Sequence, residues 1–250
     1  MRLTLAILIV IAFSFPAMAD SARVVGVRGG AVLLLEDGRQ ALLDGLRMPS
    51  PGDDASGKRA DLAAVQALNA LKALAVDRDV SLVLLADAPD RWGRWPADVR
   101  LVRDGTWLQG ALLERGYARI DVCPLGEKGR LLALRASEET ARKEKRGLWR
   151  HQVYEAAPAG PDLRIGRFLI VEGVPVADGG GRVRYLNFAE NWREDFTLRA
   201  ARRPARALER AGLGFKSLVG KRIRVRGWSF KNNGPMIEIE CADQIEAMPQ

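Results

Sequence analysis

The sequence is poor in the residues that metal centres and disulfide scaffolds require. It contains one histidine, His151, and two cysteines, Cys123 and Cys241, in 250 residues. Two cysteines are too few for a disulfide-rich scaffold, and they lack the paired spacing of a zinc site. A single histidine also argues against a histidine-based metal centre. We favour two separate thiols for Cys123 and Cys241, with an interdomain disulfide as the alternative.

Long hydrophobic runs are absent after the first twenty residues. Leu3–Phe15 is almost continuously apolar, Arg2 precedes it, and Ala17-Met18-Ala19 has the small residues of a signal-peptidase site. The run is shorter than the roughly 18 residues that span a bilayer. We therefore predict a signal peptide over residues 1–19. The mature chain would begin at Asp20, contain no transmembrane segment, and be periplasmic or secreted.

The composition excludes a disordered or fibrous chain, because 48% of the residues are hydrophobic and 28% are charged. Lys and Arg total 39 against 31 Asp and Glu, and this excess favours anionic partners. Residues 155–162 are rich in proline, alanine and glycine without apolar periodicity, which is typical of a linker. We predict a first domain over residues 20–154 and a smaller basic domain over residues 163–250.

The patterning of the first half predicts a small β-barrel flanked by helices. Short apolar runs over residues 31–35 and 40–46 surround a Glu-Asp-Gly-Arg turn and predict a hairpin. Helices are predicted over residues 61–76, 106–115 and 131–146. The apolar face of the first of these helices is expected to comprise Leu62, Val65, Leu68, Leu71 and Leu74.

Several separated motifs in this half resemble the staphylococcal nuclease (thermonuclease) family. They are Asp90-Arg91-Trp92-Gly93-Arg94, Asp104-Gly105-Thr106, the run from Ala111 to Ala118, and the segment from Glu138 to Trp149. The resemblance spans about residues 24–150 and implies an OB-type five-stranded barrel with three helices. It also implies phosphodiester hydrolysis with Ca²⁺, in which carboxylates bind the metal, a glutamate positions water and two arginines stabilise the phosphate.

The sequence departs from this family at the positions that hold the metal and the base. Leu42 occupies one arginine position, Arg47 the metal-ligand aspartate position, and Ser50 the glutamate position. The Gly-Asp-Thr turn of the family reads Gly29-Gly30-Ala31. Only Arg94 is retained, either as a phosphate contact or as an ion-pair partner of Asp90 or Asp98. We therefore predict no metal site and no confident catalytic residue.

An active enzyme would need its carboxylates in other places. Asp44, Asp53 and Asp54 are the nearby acids that could build such a relocated site, and Ca²⁺ would then be the cofactor. The family's aromatic positions give no further support, because Trp92, Trp95 and Trp107 are expected to pack against the barrel and helices.

The second half has the element order of an OB fold, with three strands, a helix and two strands. It resembles OB-type nucleic-acid-binding modules less specifically than the first half resembles its family. Residues 199–226 contain ten Lys or Arg and only one acid, Glu209. Strand alternation places Arg222, Arg224, Arg226 and Trp228 on one face, as binding of single-stranded nucleic acid would require. The alternative is cross-strand pairing of this face with Glu238 and Glu240.

The overall prediction is a mainly β protein of the α+β class with two OB-type barrels, the first of staphylococcal nuclease type. The function that we favour is that of an exported, non-catalytic binding or scaffold protein, with nucleic acid or another polyanion as its ligand. A secreted Ca²⁺-dependent phosphodiesterase with a relocated site is one alternative. A cell-envelope module that binds another protein is a second.

Overall fold

The computed structural model describes residues 20–51, 53, 58–123, 128–191 and 193–248. The predicted signal peptide and Asp54 lie outside these residues. The chain is mixed α+β and mostly strands, as predicted. The elements of the first half, in chain order, are β1 (Asp20–Arg28), β2 (Val32–Leu35), β3 (Gln40–Leu43), β4 (Leu46–Arg47), α1 (Lys58–Ala75), β5 (Asp79–Leu84), β6 (Arg94–Leu101), α2 (Leu108–Glu114), β7 (Arg119–Ile120) and α3 (Lys128–Lys143).

Five of these strands close into a barrel in the order β1-β2-β3-β6-β5, with β5 pairing back to β1. The β2–β3 hairpin falls where the apolar runs predict it, and β3 pairs in parallel with β6. Gly116 ends α2 at φ 71°, and the backbone of residue 146 would lie 2.2 Å from a Cβ there. Only glycine therefore allows the end of α2 to approach the turn that follows α3.

Helix α1 packs on the barrel with a face that matches the predicted one only in part, at Leu71 and Leu74. Ala67, Leu71 and Ala75 are fully buried, whereas Leu62 and Val65 are more than half exposed. The small alanine side chains let the helix backbone approach the barrel closely, which larger residues would prevent. Val65 and Leu68 of α1 line a neighbouring cleft.

The second half begins after two 3-10 turns, Gly147–Arg150 and Gln152–Tyr154. A third 3-10 turn, Ala242–Gln244, precedes the last strand. The elements are β8 (Ala157–Pro158), β9 (Phe168–Gly173), β10 (Ala177–Gly180), β11 (Arg184–Asn187), β12 (Thr197–Ala200), α4 (Arg202–Arg210), α5 (Phe215–Leu218), β13 (Ile223–Asn232), β14 (Gly234–Ile239) and β15 (Ile245–Ala247).

These strands form one curled eight-stranded sheet in the order β10-β11-β12-β14-β13-β9-β8, with β15 paired to β13. Strands β9 and β10 lie near opposite ends of this path although only residues 174–176 separate them, so the sheet must curl. Strands β12 and β14 are parallel. Strand β8 lies within the predicted linker and pairs with β9, which attaches that segment to the second sheet. The domain boundaries themselves remain a prediction.

A disulfide between Cys123 and Cys241 joins the two halves across 118 residues of sequence. The prediction of two separate thiols is therefore wrong. The Cα atoms are 6.0 Å apart, within the range that a disulfide requires. Cys123 follows β7 and Cys241 follows β14, and only the docking of the two halves brings these strand ends together. Sequence spacing carries no information about that docking.

No helix among the described residues is long and apolar enough to cross a membrane.

Candidate functional site

A cleft of about 790 Å³ lies beside the barrel, between α1 and the segment that follows β3. Its walls are largely apolar, and its charged lining residues are Arg47, Asp61, Arg94 and Asp121. Four positions at which the sequence departs from the family pattern line this cleft, together with the retained Arg94. They are Gly30, Leu42, Arg47 and Ser50. The structure therefore brings the expected positions together, but the charges of the cleft are two acids and two arginines, whereas a Ca²⁺ centre needs several carboxylate ligands.

Arg94 forms an ion pair with Asp90, which is one of the two roles that the sequence suggests for it. Its guanidinium donates to Asp90 at 2.8 Å from Nε and lies 2.7 Å from it at Nη2. The other Asp90 oxygen accepts the backbone N–H groups of residues 92 and 94. Burial raises the pKa of Asp90, but these hydrogen bonds hold it below its usual range. Asp90 is thus a charged anchor for the loop that presents Arg94.

Trp92 does not pack in the core as expected, because 59% of it is exposed. Arg91 and Arg94 lie over its ring, with guanidinium carbons 4.0 and 4.6 Å from the ring centroid. The turn at Gly93, which has φ 75°, places the two arginines against the same indole. Arg91, Trp92 and Arg94 form what we call the tryptophan platform. It combines an aromatic surface with two cations at the protein surface.

Arg47 occupies the position where the family resemblance implies a metal ligand. Its guanidinium carbon lies 4.2 Å from the ring centroid of Trp228 and 4.9 Å from that of Phe168, both in the second half. Its Nη1 lies 3.5 Å from Asp121. Burial raises the pKa of Asp121, and the Arg47 charge opposes that rise. At this position, a side chain that contacts the second half of the molecule therefore stands in place of a metal ligand.

The acids considered for a relocated site have other partners. Asp44 forms an ion pair with Arg130 at 2.9 Å, and Asp53 forms one with Arg119 at 3.0 Å. Asp54 lies outside the described residues. Across the described part of the chain, there is no group of three or more His, Cys, Asp or Glu side chains that could hold a metal ion.

Residues 54–151 match the family model of the staphylococcal nuclease homologues. The family resemblance seen in the sequence is thereby confirmed. No curated protein matches the chain. The matched segment includes the tryptophan platform, whereas Gly30, Leu42, Arg47 and Ser50 precede it. The second half lies outside the match, so its OB-type assignment remains a prediction.

The predicted binding face of β13 is turned towards the nuclease-like domain. Arg226 is 1% exposed and donates to Glu138 at 2.9 Å and to Glu246 at 2.7 Å. Arg224 is also buried and donates to Glu172 at 2.8 Å. In this arrangement both guanidinium groups are buried and paired with carboxylates, and the phosphate contacts predicted for them stay a prediction. Their face is covered because α3 supplies carboxylates to it.

The other two residues of the predicted face have different environments. Arg222 keeps a 59% exposed side chain and donates to Glu172 at 2.9 Å. Trp228 is 51% exposed, but Arg47 lies over its ring and Phe168 packs edge-on at 6.3 Å between centroids. The register of the β13–β14 hairpin, with Ser229 opposite Ile237, is the one that the alternative assumes. Glu238 nevertheless pairs with Arg199, and Arg226 pairs with Glu138 and Glu246.

The ion pairs between α3 and the second sheet form what we call the interdomain network. Glu138 and Glu139 of α3 face Arg224 and Arg226, while Arg142 lies 3.8 Å from Glu172. Burial raises the pKa of Glu172, but hydrogen bonds and charges from its arginine partners hold the pKa below its usual range. The members are Arg135, Glu138, Glu139, Arg142, Glu172, Arg222, Arg224, Arg226 and Glu246.

Proposed function

We propose that the protein is an exported, non-catalytic scaffold that binds nucleic acid through its nuclease-like domain. The proposal rests on one contrast: the site presents groups that suit nucleic-acid binding, but it holds a cation where a metal ligand is needed. The tryptophan platform offers an exposed aromatic ring and the exposed guanidinium group of Arg91, which suit a base and its phosphate, while Asp90 holds Arg94 beside them. Beside it, the metal-ligand position holds Arg47, a cation that would repel the Ca²⁺ that the family uses.

The loss of catalysis follows from the chemistry of the cleft. Removing one preorganised charge stabiliser from an active site typically costs about 10²- to 10³-fold in rate. Here an arginine, a metal ligand and the water-positioning glutamate are replaced together, at Leu42, Arg47 and Ser50. Binding does not need those groups. We therefore favour binding without hydrolysis over the alternative of a relocated Ca²⁺ site.

Export is supported by two features. Disulfides persist in oxidising compartments such as the bacterial periplasm, and Cys123 and Cys241 are bridged. The second feature is the small-residue signal-peptidase site Ala17-Met18-Ala19 after the apolar run. N-terminal sequencing of the exported protein should begin at Asp20. An intact Met1 in a membrane fraction would overturn this part of the proposal.

Replacing Trp92 tests the binding function. Because stacking of a base on an aromatic side chain contributes about 1 to 3 kcal/mol, Trp92→Ala should weaken binding of a single-stranded DNA oligonucleotide by that amount. The dependence of affinity on salt should change little. Arg91→Ala should instead reduce the log-log salt slope by about 0.7, the value for one lost phosphate contact on a single strand. Fluorescence anisotropy at several salt concentrations measures both effects.

Trp228→Ala is the matched control, because Trp228 is about as exposed as Trp92 and also carries a guanidinium over its ring, but it packs edge-on against Phe168. It should leave the affinity unchanged. If Trp228→Ala weakens binding and Trp92→Ala does not, the tryptophan platform is not the binding site. If the wild-type protein has no affinity for DNA or RNA even at low salt, an envelope-protein interaction becomes the better proposal.

A further inference from the structure

The basic segment over residues 199–226 divides into two groups in the structure. Four of its ten cations are neutralised by carboxylates: Arg199 by Glu238, and Arg222, Arg224 and Arg226 by the interdomain network. The other six are exposed and form no ion pair within the described part of the chain. They are Arg202, Arg203, Arg206, Arg210, Lys216 and Lys221.

Four of these six cations lie on α4. Arg203, Arg206 and Arg210 line one shallow groove, which also contains Glu209 and Glu240. The Glu209 carboxylate lies against the backbone of Gly214, where a Cβ would be 2.3 Å from its Oε2. Glu209 is therefore directed towards the start of α5. We call Arg202, Arg203, Arg206 and Arg210 the arginine row.

The arginine row opposes the local stability of its own helix. Arg202 and Arg206, and Arg206 and Arg210, are like charges four residues apart, and such pairs destabilise a helix. The first turn holds two arginines and no acid, where the helix dipole disfavours cations. When the charges of a helix lower its own stability and no contact compensates for this, we expect the charges to serve a function.

The chemistry of the row fits phosphates of a nucleic-acid strand. Arginine binds phosphate through paired N–H groups, and the cations here have no competing ion pair. From residue 203 to 210 the helix rises about 10.5 Å, a length over which one strand of DNA presents about three phosphates. The only large apolar side chain of α4, Leu208, is buried, so the helix offers no apolar anchor for a membrane surface.

We propose that α4 is a second nucleic-acid contact, which binds the phosphates of a single strand through Arg203, Arg206 and Arg210. This inference rests on the proposed function and extends it to a second surface of the same protein. It replaces the phosphate contacts that the sequence predicts on β13. The tryptophan platform would supply base stacking, and the arginine row would supply contacts that do not depend on base sequence.

The test measures binding of a fluorescent oligothymidylate to the full protein over a range of salt concentrations. Combining Arg203→Ala, Arg206→Ala and Arg210→Ala should reduce the log-log salt slope by about 2, because each lost phosphate contact accounts for about 0.7. The matched control combines Arg78→Ala, Arg103→Ala and Arg115→Ala, which remove the same charge from exposed positions of the first domain. Its slope should remain that of the wild type.

Replacing the same three α4 residues by lysine keeps the charge and should keep the log-log salt slope. Circular dichroism establishes that each variant is folded. Equal slopes for the alanine variant and its control would overturn the proposal, because net charge alone would then explain binding. Binding to vesicles of anionic phospholipid but not to oligothymidylate would also overturn it. If the α4 variant binds normally while Trp92→Ala is weakened, this inference fails and the proposed function stands.

Discussion

Replacing Arg226 with alanine should lower the free energy of unfolding by about 3 to 5 kcal/mol, the usual cost of removing one partner from a buried ion pair. Arg226 is 1% exposed, and its removal would leave Glu138, which is 2% exposed, without its cation. Glu246 would lose its 2.7 Å contact as well. The cost arises mainly from leaving buried negative charge uncompensated. Urea unfolding followed by circular dichroism measures it.

Arg222→Ala is the matched control for this prediction, since it removes the same type of side chain from an exposed position immediately before β13. An exposed ion pair is worth about 0 to 1 kcal/mol, so Arg222→Ala should change stability little. Adding Glu138→Gln to Arg226→Ala should cost less than the sum of the two single changes, because the two residues interact directly. Similar small costs for Arg226→Ala and Arg222→Ala would show that the interdomain network is not a buried ionic contact in solution.

Removing the disulfide should have an effect of similar size. In the chain-entropy treatment, a bridge that closes a loop of about 118 residues stabilises the folded state by about 4 to 5 kcal/mol. Replacing Cys123 and Cys241 by serine together should therefore lower the free energy of unfolding by up to that amount. Guanidinium unfolding of the wild type with and without reductant should reproduce the difference, and reductant should have no effect on the serine variant.

Thiol titration of the native exported protein is the control for the bridge. It should detect no free thiol before reduction and two afterwards. Two reactive thiols in the native protein, with stability unchanged by reductant, would contradict a disulfide between the halves. The network and the disulfide both join the same two halves, so the serine variant should remain folded through the ionic contacts.

Much of the first half could be predicted from its sequence because its signals are local. Turn residues and short apolar runs indicate the β2–β3 hairpin, and the motif Asp90–Arg94 carries the family resemblance that the family match confirms. The face of α1 was predicted only in part: Leu71 is buried as expected, but Leu62 and Val65 are exposed and Ala67 and Ala75 pack on the barrel instead. Close helix-barrel packing favours the smaller alanine side chains, and Leu68 lies beside the cleft.

The contacts between the two halves could not be predicted in the same way. Alternation predicts one face for Arg222, Arg224 and Arg226, and the three share the acids Glu172 and Glu246, but alternation does not say what covers that face. One signal was present in α3, where Glu138 follows Leu131 and Leu134 at helical spacing and is buried beside them. A carboxylate on an otherwise apolar helix face indicates a buried cationic partner. Arg47 had no comparable signal, since its partners Phe168 and Trp228 are distant in sequence.

We expect the nuclease-like domain to bind a strand of nucleic acid without cutting it. The decisive experiment incubates the purified protein with single-stranded DNA in millimolar Ca²⁺ and follows both complex formation and strand length. We expect a salt-sensitive complex and DNA of unchanged length, because Arg47 stands where a metal ligand is required. Ca²⁺-dependent cleavage that disappears in an Arg94→Ala variant would contradict the claim.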